Sequence, residues 1–218
     1  MRKFGKKYVE ASKKVEKNTL YSATDAVKLV KETNVTKFDS TIDVAIKLNV
    51  DPKKADQMLR GSLVLPNGSG KSKKILVLAK VAKELGADYV GDKDLIDKIK
   101  TENWFDFDII VATPEMMPEV GKIGNILGPR GLMPNPKTGT VTPKVDTVIN
   151  DIKKGMVEYR TDSYGNIHTI IGKASFTETA LLENLKYVVS TISKSKPTSV
   201  KGTFVQGISI SSTMGPGI

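Results

Sequence analysis

The segment Thr41–Ile42–Asp43–Val44–Ala45–Ile46–Lys47–Leu48 alternates four branched apolar residues with mostly polar neighbours. That period of two marks a strand with one buried face. A single strand leaves amide and carbonyl groups unpaired, so it must find partners. The far end of the chain offers them. Met156 to Arg160 and Ile167 to Ile171 flank Asp162–Ser163–Tyr164–Gly165, which has the composition of a hairpin turn. Thr203 to Ser211 alternates again through Phe204, Val205, Ile208 and Ile210. Glu178 to Ser193 has helical spacing (Leu181, Leu185, Val188, Ile192), and Lys194, Lys196 and Pro197 suit its C-terminal end. Near the other terminus, one helix is predicted around Tyr8 to Glu16. A second is capped by Ser22, with Asp25 three positions on and Ala26, Val27 and Val30 as its apolar stripe. The two ends together predict one discontinuous α+β domain with an antiparallel sheet.

The middle has a different rhythm. Ile75 to Ala79 and Phe107 to Ala112 are short continuous apolar runs, the pattern of strands buried on both faces. Helical patterns lie at Val81 to Leu85, Asp94 to Lys100 and Val145 to Lys153. This alternation predicts a small parallel α/β domain inserted into the first. The boundaries are drawn at 1–67 and 159–218 for the split domain and 68–158 for the insertion. The linkers fall near Pro66–Asn67–Gly68–Ser69–Gly70 and near Gly155, and the neck there is a candidate hinge. Charge supports the same division. Residues 1–67 hold 14 basic and 8 acidic side chains, 68–158 hold 14 and 13, and 159–218 hold 6 and 3. The ends therefore carry +9 of the net +10, an excess that calls for a polyanionic partner.

The 218 residues include no cysteine, which excludes disulfides, thiolate metal sites and cysteine nucleophiles. The single histidine, His168, excludes a multi-histidine metal site. No apolar run is long enough to cross a bilayer. The basic residues Arg2, Lys3, Lys6 and Lys7 are followed by polar residues rather than by a signal region, so a cytoplasmic location is expected and no membrane partner.

Four features invite a chemical reading. Gly68–Ser69–Gly70–Lys71–Ser72 resembles the end of a phosphate-binding loop, but Leu65 stands where the first glycine belongs and a strand follows instead of a helix. A flexible basic linker is the better reading. His168 lies on a predicted strand with no nucleophile or carboxylate pair nearby in sequence. A surface strand residue within reach of RNA is preferred to a general base. The acidic run Asp92, Asp94, Asp97, Glu102, Asp106 and Asp108 matches no metal loop and reads as a solvated face. Gly128 to Lys137 packs two glycines, three prolines, Arg130 and Lys137 into ten residues. It is either a rigid surface loop or a shaped prow that meets phosphates. Neither helix nor sheet is expected through it, nor local burial of Leu132 and Met133. The ending Ser211–Ser212–Thr213–Met214–Gly215–Pro216–Gly217–Ile218 is either a frayed tail or a hydroxyl-rich edge that follows an RNA minor groove.

Several motifs fit one family. They are Lys37–Phe38–Asp39, the run 51–57 from Asp51–Pro52–Lys53, Ala87–Asp88–Tyr89–Val90–Gly91, Trp104 to Asp108, Ile126 to Val141, Gly172–Lys173–Ala174–Ser175–Phe176 and Ser211 to Pro216. On these residues the chain resembles the ribosomal stalk protein family, universal L1, in its bacterial form. The resemblance implies a two-domain fold, with a split RNA-binding domain and an inserted Rossmann-like domain. It implies a non-enzymatic structural constituent of the large subunit, ribosome-associated, without cofactor, and a monomer when free. The implied partners are the stalk helices of large-subunit rRNA, exit-site tRNA and the protein's own operon mRNA, whose translation it would repress. By position, the RNA surface implied is Lys37, Phe38, Thr41, Lys173, Thr213, Met214 and Gly215, with Arg130, Lys137 and His168 as secondary contacts. Two departures stand out. Gly207 occupies a position where the family pattern has serine, and Lys80 to Gly86 is shorter than usual, which clips a helix by about one turn. A general nucleic-acid scaffold and a phosphate-binding enzyme on the α/β middle are the rival readings.

Overall fold

The alternating strand β1 (Thr41–Leu48) lies at the centre of a three-stranded antiparallel sheet, between β7 (Asn166–Lys173) and β8 (Val205–Ser212). This comes from a computed structural model that describes residues 4–16, 19–54, 56–79, 86–102 and 104–218. Ile42, Val44, Ile46 and Leu48 are at most 3% exposed. They pack against α2 (Ala23–Glu32), through Ala26, Val27 and Val30, and against α7 (Glu178–Lys194), through Leu181, Leu185, Val188 and Ile192. Each valine, leucine and isoleucine among them contributes on the order of 1.5–3 kcal/mol by leaving water. Both helices are capped as their sequences require. The Ser22 hydroxyl accepts from the Asp25 amide at 3.2 Å and donates to its carboxylate at 2.6 Å, and Thr177 caps α7 by accepting from Ala180 N at 3.3 Å. The first helix, α1 (Lys6–Lys13), begins directly after an extended Gly5, two residues earlier than its apolar pattern indicated.

The segment 156–171 departs from the expected hairpin. β6 (Met156–Arg160) pairs with β2 (Arg60–Val64) in a separate two-stranded sheet, whereas β7 pairs with β1. The turn itself forms. Asp162 accepts from Tyr164 N at 2.8 Å and Asn166 N at 2.7 Å, and Gly165 takes a φ of +82° with Val50 O beside it. The chain switches sheets here because Thr161 is held by Leu59, through its amide at 3.0 Å and its hydroxyl at 3.1 Å. Past that clamp the two sides are joined, among the described residues, by the Thr161–Ile167 bridge and the Asp162–Asn166 bonds of the turn.

The chain divides into two compact units, Met1–Gly70 with Val157–Ile218, and Lys71–Met156. Counted over these spans, the first holds 20 basic and 12 acidic residues and the second 14 and 12, that is +8 and +2. The Pro66 to Gly70 stretch is tied down at its start rather than flexible. Asn67 N donates to the buried Asn184 side chain at 3.1 Å, and the Asn184 amide group donates to Gly68 O and to Ile171 O.

The second unit is a parallel sheet, ordered β4 (Tyr89–Gly91), β3 (Ile75–Leu78), β5 (Ile109–Ala112). β3 is wholly buried, as a central parallel strand must be. α3 (Lys93–Glu102) covers it with Ile96 and Ile99, and α6 (Val145–Lys153) buries Val145, Ile149 and Ile152. The helix expected over Val81 to Leu85, and most of the shortened 80–86 segment, lie outside the described residues.

Candidate nucleic-acid interface

The face of the β7–β1–β8 sheet opposite the core is built from the alternate residues of each strand. Its rows follow the register. Thr41 stands beside Lys173, Asp43 between Ile170 and Ser211, Ala45 between His168 and Ser209, and Lys47 between Asn166 and Gly207. The side chains contributed by β8 and the centre of β1 are small, so another backbone can approach closely.

One end of this face is a hydrogen-bonded cluster. Thr213 N donates to Thr41 O at 3.0 Å, and the Thr213 hydroxyl both accepts from Thr41 N and donates to Thr41 O, each at 3.1 Å. Lys173 Nζ donates to the Thr41 hydroxyl at 3.2 Å and to Asp39 O at 3.3 Å. The stem of Lys173 lies against Gly70, where an added Cβ would sit 2.7 Å from its Cγ. The hydrogen bonds decide what each group has left. The Thr213 hydroxyl has used its proton and keeps one acceptor site, Thr41 keeps its proton, and the Lys173 ammonium keeps one donor. A donor, an acceptor and a fixed positive charge thus converge at one sheet end.

Met214 and Gly215 follow directly in a turn closed by Gly215 N to Ser212 O at 3.0 Å. Met214 is 60% exposed, and a Cβ at Gly215 would collide with the Ser212 hydroxyl. The terminal residues are therefore ordered against β1 rather than frayed. Lys37 and Phe38 precede Asp39 in the loop that enters β1; both are exposed, Phe38 by 60%. That loop is fixed by Thr36 Oγ1, which donates to Phe38 O, and by Asn34 Oδ1, which accepts from the Thr36 amide and the Ser40 hydroxyl. Asp39 is a positioning residue that sequence reasoning left without a role. Its carboxylate receives the Ser175 amide at 3.0 Å and hydroxyl at 2.9 Å, locking the loop after Lys173 to the loop before Thr41. The available signal was that Asp39 closes one family motif, Lys37–Phe38–Asp39, and its partner Ser175 lies in another, Gly172 to Phe176. Gly207 is exposed, and a Cβ there meets nothing within 4 Å.

His168 projects from the open face and approaches Asp162 Oδ2 at 3.5 Å. The hydrogen bond from the Asn166 amide above all, helped by the one from the Tyr164 amide, holds the Asp162 carboxyl below its ordinary value against the opposing effect of burial.

Arg130 and Lys137 belong to the second unit. The Arg130 guanidinium lies 3.5 Å from the centre of the Phe105 ring, a cation–π stack that fixes its plane. Lys137 is exposed in a single 3₁₀ turn, Pro136–Thr138, capped by Asn135. The Gly128 to Lys137 stretch thus contains a short helical turn. Leu132 and Met133 are half-buried against the unit's core, a tertiary contact that local structure did not reveal. The acidic run is only partly a solvated face. Asp108 accepts from Lys74 N at 2.9 Å, and Asp106 binds both Lys74 Nζ and the Tyr89 hydroxyl. Those two bonds, from Lys74 first, draw the Asp106 carboxyl below its usual range. Among the described residues no group of acidic and histidine side chains is placed to hold a metal, and no helix is long and apolar enough to cross a membrane.

A family model described as "Ribosomal protein L1p/L10e family" matches residues 30–216. The chain belongs to this family. Membership in the L1p/L10e family supports a structural, rRNA-binding role in the ribosome and a ribosome-associated location, in a family that is generally non-enzymatic. The matched span contains every candidate contact residue named above, from Lys37 to Gly215.

Proposed function

We propose that Met1–Gly70 with Val157–Ile218 is the RNA-binding domain of a large-subunit stalk protein, with Lys71–Met156 as an inserted Rossmann-like accessory domain. The observation that carries this reading is the Thr41–Lys173–Thr213 cluster. It joins a donor, an acceptor and a cation at the end of a smooth sheet face, flanked in sequence by exposed Lys37, Phe38 and Met214. Folded RNA offers the complementary set: phosphates for the lysines, 2′-hydroxyls for the threonines, and sugar or base faces for Phe38 and Met214. Gly215 serves by letting the chain turn tightly there. Arg130, Lys137 and His168 act as secondary contacts.

The stalk helices of large-subunit rRNA are the principal ligand. Assistance to exit-site tRNA and repression of the protein's own operon mRNA follow if the same surface accepts a similar RNA fold. The free protein is a monomer acting in the cytoplasm without a cofactor. The test is a salt series of filter-binding measurements with the full chain, on a stalk-rRNA fragment and on random duplex. Stalk RNA bound about 10³-fold more tightly supports the proposal. Equal affinity at equal salt supports a general nucleic-acid scaffold instead.

A further inference from the structure

Among the described residues, β8 has one side without a strand neighbour. β1 occupies the other side, through the pairs Ala45–Ser209 and Lys47–Gly207. Ile210 turns its backbone groups away from β1 and exchanges bonds with Ile218, at 2.8 and 2.9 Å. In an antiparallel strand every second residue presents its N–H and C=O to the same side. Ile208 therefore aims both groups outward along the same edge, and neither has a backbone partner among the described residues. Such an edge is a template for one more strand.

An apolar groove of about 440 Å³ runs beside this edge. Leu185, Val189, Ile208 and Leu20 line it; Leu20 is 99% exposed and Ile208 41%. Lys186 stands in its wall, and among the described residues no carboxylate side chain lines it.

We propose that the β8 edge and this groove dock an extended peptide segment of another protein, one that alternates apolar and acidic residues. The segment adds a strand at Ile208, places an apolar side chain in the groove and sets an acidic neighbour toward Lys186. Three observations select this occupant. The unpaired N–H and C=O of Ile208 call for a backbone in strand conformation, which an apolar small molecule does not supply. The chain's own residues 217–218 already make this contact one rung along, at Ile210. Charge decides against a second copy, because two units of +8 repel whereas an acidic segment is attracted. The site uses the edge and the helix-side groove, so it is separate from the open face proposed for RNA.

The test is fluorescence anisotropy of the full chain with a labelled peptide, Glu-Val-Glu-Leu-Glu-Val, at low salt. Saturable one-to-one binding is expected, at least tenfold tighter than for Lys-Val-Lys-Leu-Lys-Val. N-methylation of the central leucine amide should weaken it at least tenfold. Lys186→Glu should do the same while leaving the melting temperature and stalk-RNA affinity unchanged. Ile208→Pro, which removes the outward amide and the isoleucine side chain from the groove wall, should abolish binding. Absence of saturation, equal affinity for the two peptides, indifference to N-methylation or to Lys186→Glu, or a β8-paired dimer in sedimentation would overturn the proposal.

Discussion

The Thr213 hydroxyl lies 3.1 Å from both the amide nitrogen and the carbonyl oxygen of Thr41, a residue 172 positions earlier. This clasp holds the chain's C-terminal turn on the end of β1 and sets which hydrogen-bonding capacity remains at that end of the sheet, the surface proposed for RNA. Thr213→Val removes the clasp and leaves the Thr41 amide unsatisfied. We expect stability to fall by about 1 kcal/mol, with stalk-RNA affinity reduced roughly five- to thirty-fold. Thr213→Ser should keep most of both. Thermal melts and filter binding on the two variants check this.

Lys37 is exposed at the entrance to β1. Lys37→Ala should weaken stalk-RNA binding and flatten the slope of log affinity against log salt by about one charge unit. An unchanged slope removes Lys37 from the phosphate contacts.

Met214 is held out from a tight turn at the proposed surface, whereas Lys98 lies 5.1 Å from the Trp104 ring centre in the second unit. Met214→Asp places a negative charge against RNA and should cost far more affinity than Lys98→Ala. Equal losses in filter binding would count against the assigned surface.

The two glycines of β8 and its following turn should behave oppositely. Gly207→Ser fills open space on the sheet face, so the fold should tolerate it or gain roughly 0.5–1 kcal/mol from the lost glycine freedom. Stalk-RNA affinity should rise, because a hydroxyl joins the row beside Lys47. Gly215→Ala drives a methyl into Ser212, and both melting temperature and RNA affinity should drop.

Asp162 titrates below the ordinary aspartate value of 3.8 in the folded chain, because the Asn166 and Tyr164 amides stabilise its charged form. A depressed folded pKa contributes stability above the unfolded pKa and loses it as pH falls through the folded one. Urea midpoints should therefore decline below about pH 4, and Asp162→Asn should remove part of that decline.

Much of the fold was legible because hydrophobic period survives in a single sequence. β1, α2, α7 and the solid apolar strand β3 follow from side-chain spacing and caps alone. What escaped depends on contacts between distant segments. β2 carries little alternation, and its Gly61 is fixed by a neighbour, since a Cβ there would lie 2.8 Å from the Tyr159 hydroxyl. The turn at Asp162 was readable from its residues, but the strands it joins were assigned to each other when Leu59 holds one and β1 takes the next. At the candidate site, Lys173 and Thr213 emerged from a resemblance. Asp39, whose partner Ser175 is 136 positions away, needed the structure.

The join between Thr41 and Thr213 also orders events in time. During synthesis the central strand leaves the ribosome long before the residues that complete its end, so its hydroxyl and lysine groups wait without their last neighbour. A copy interrupted anywhere ahead of residue 213 lacks the closing turn and presents an unfinished surface. On the RNA-binding reading proposed above, a product ending short of residue 213 should bind stalk RNA less tightly than the full chain.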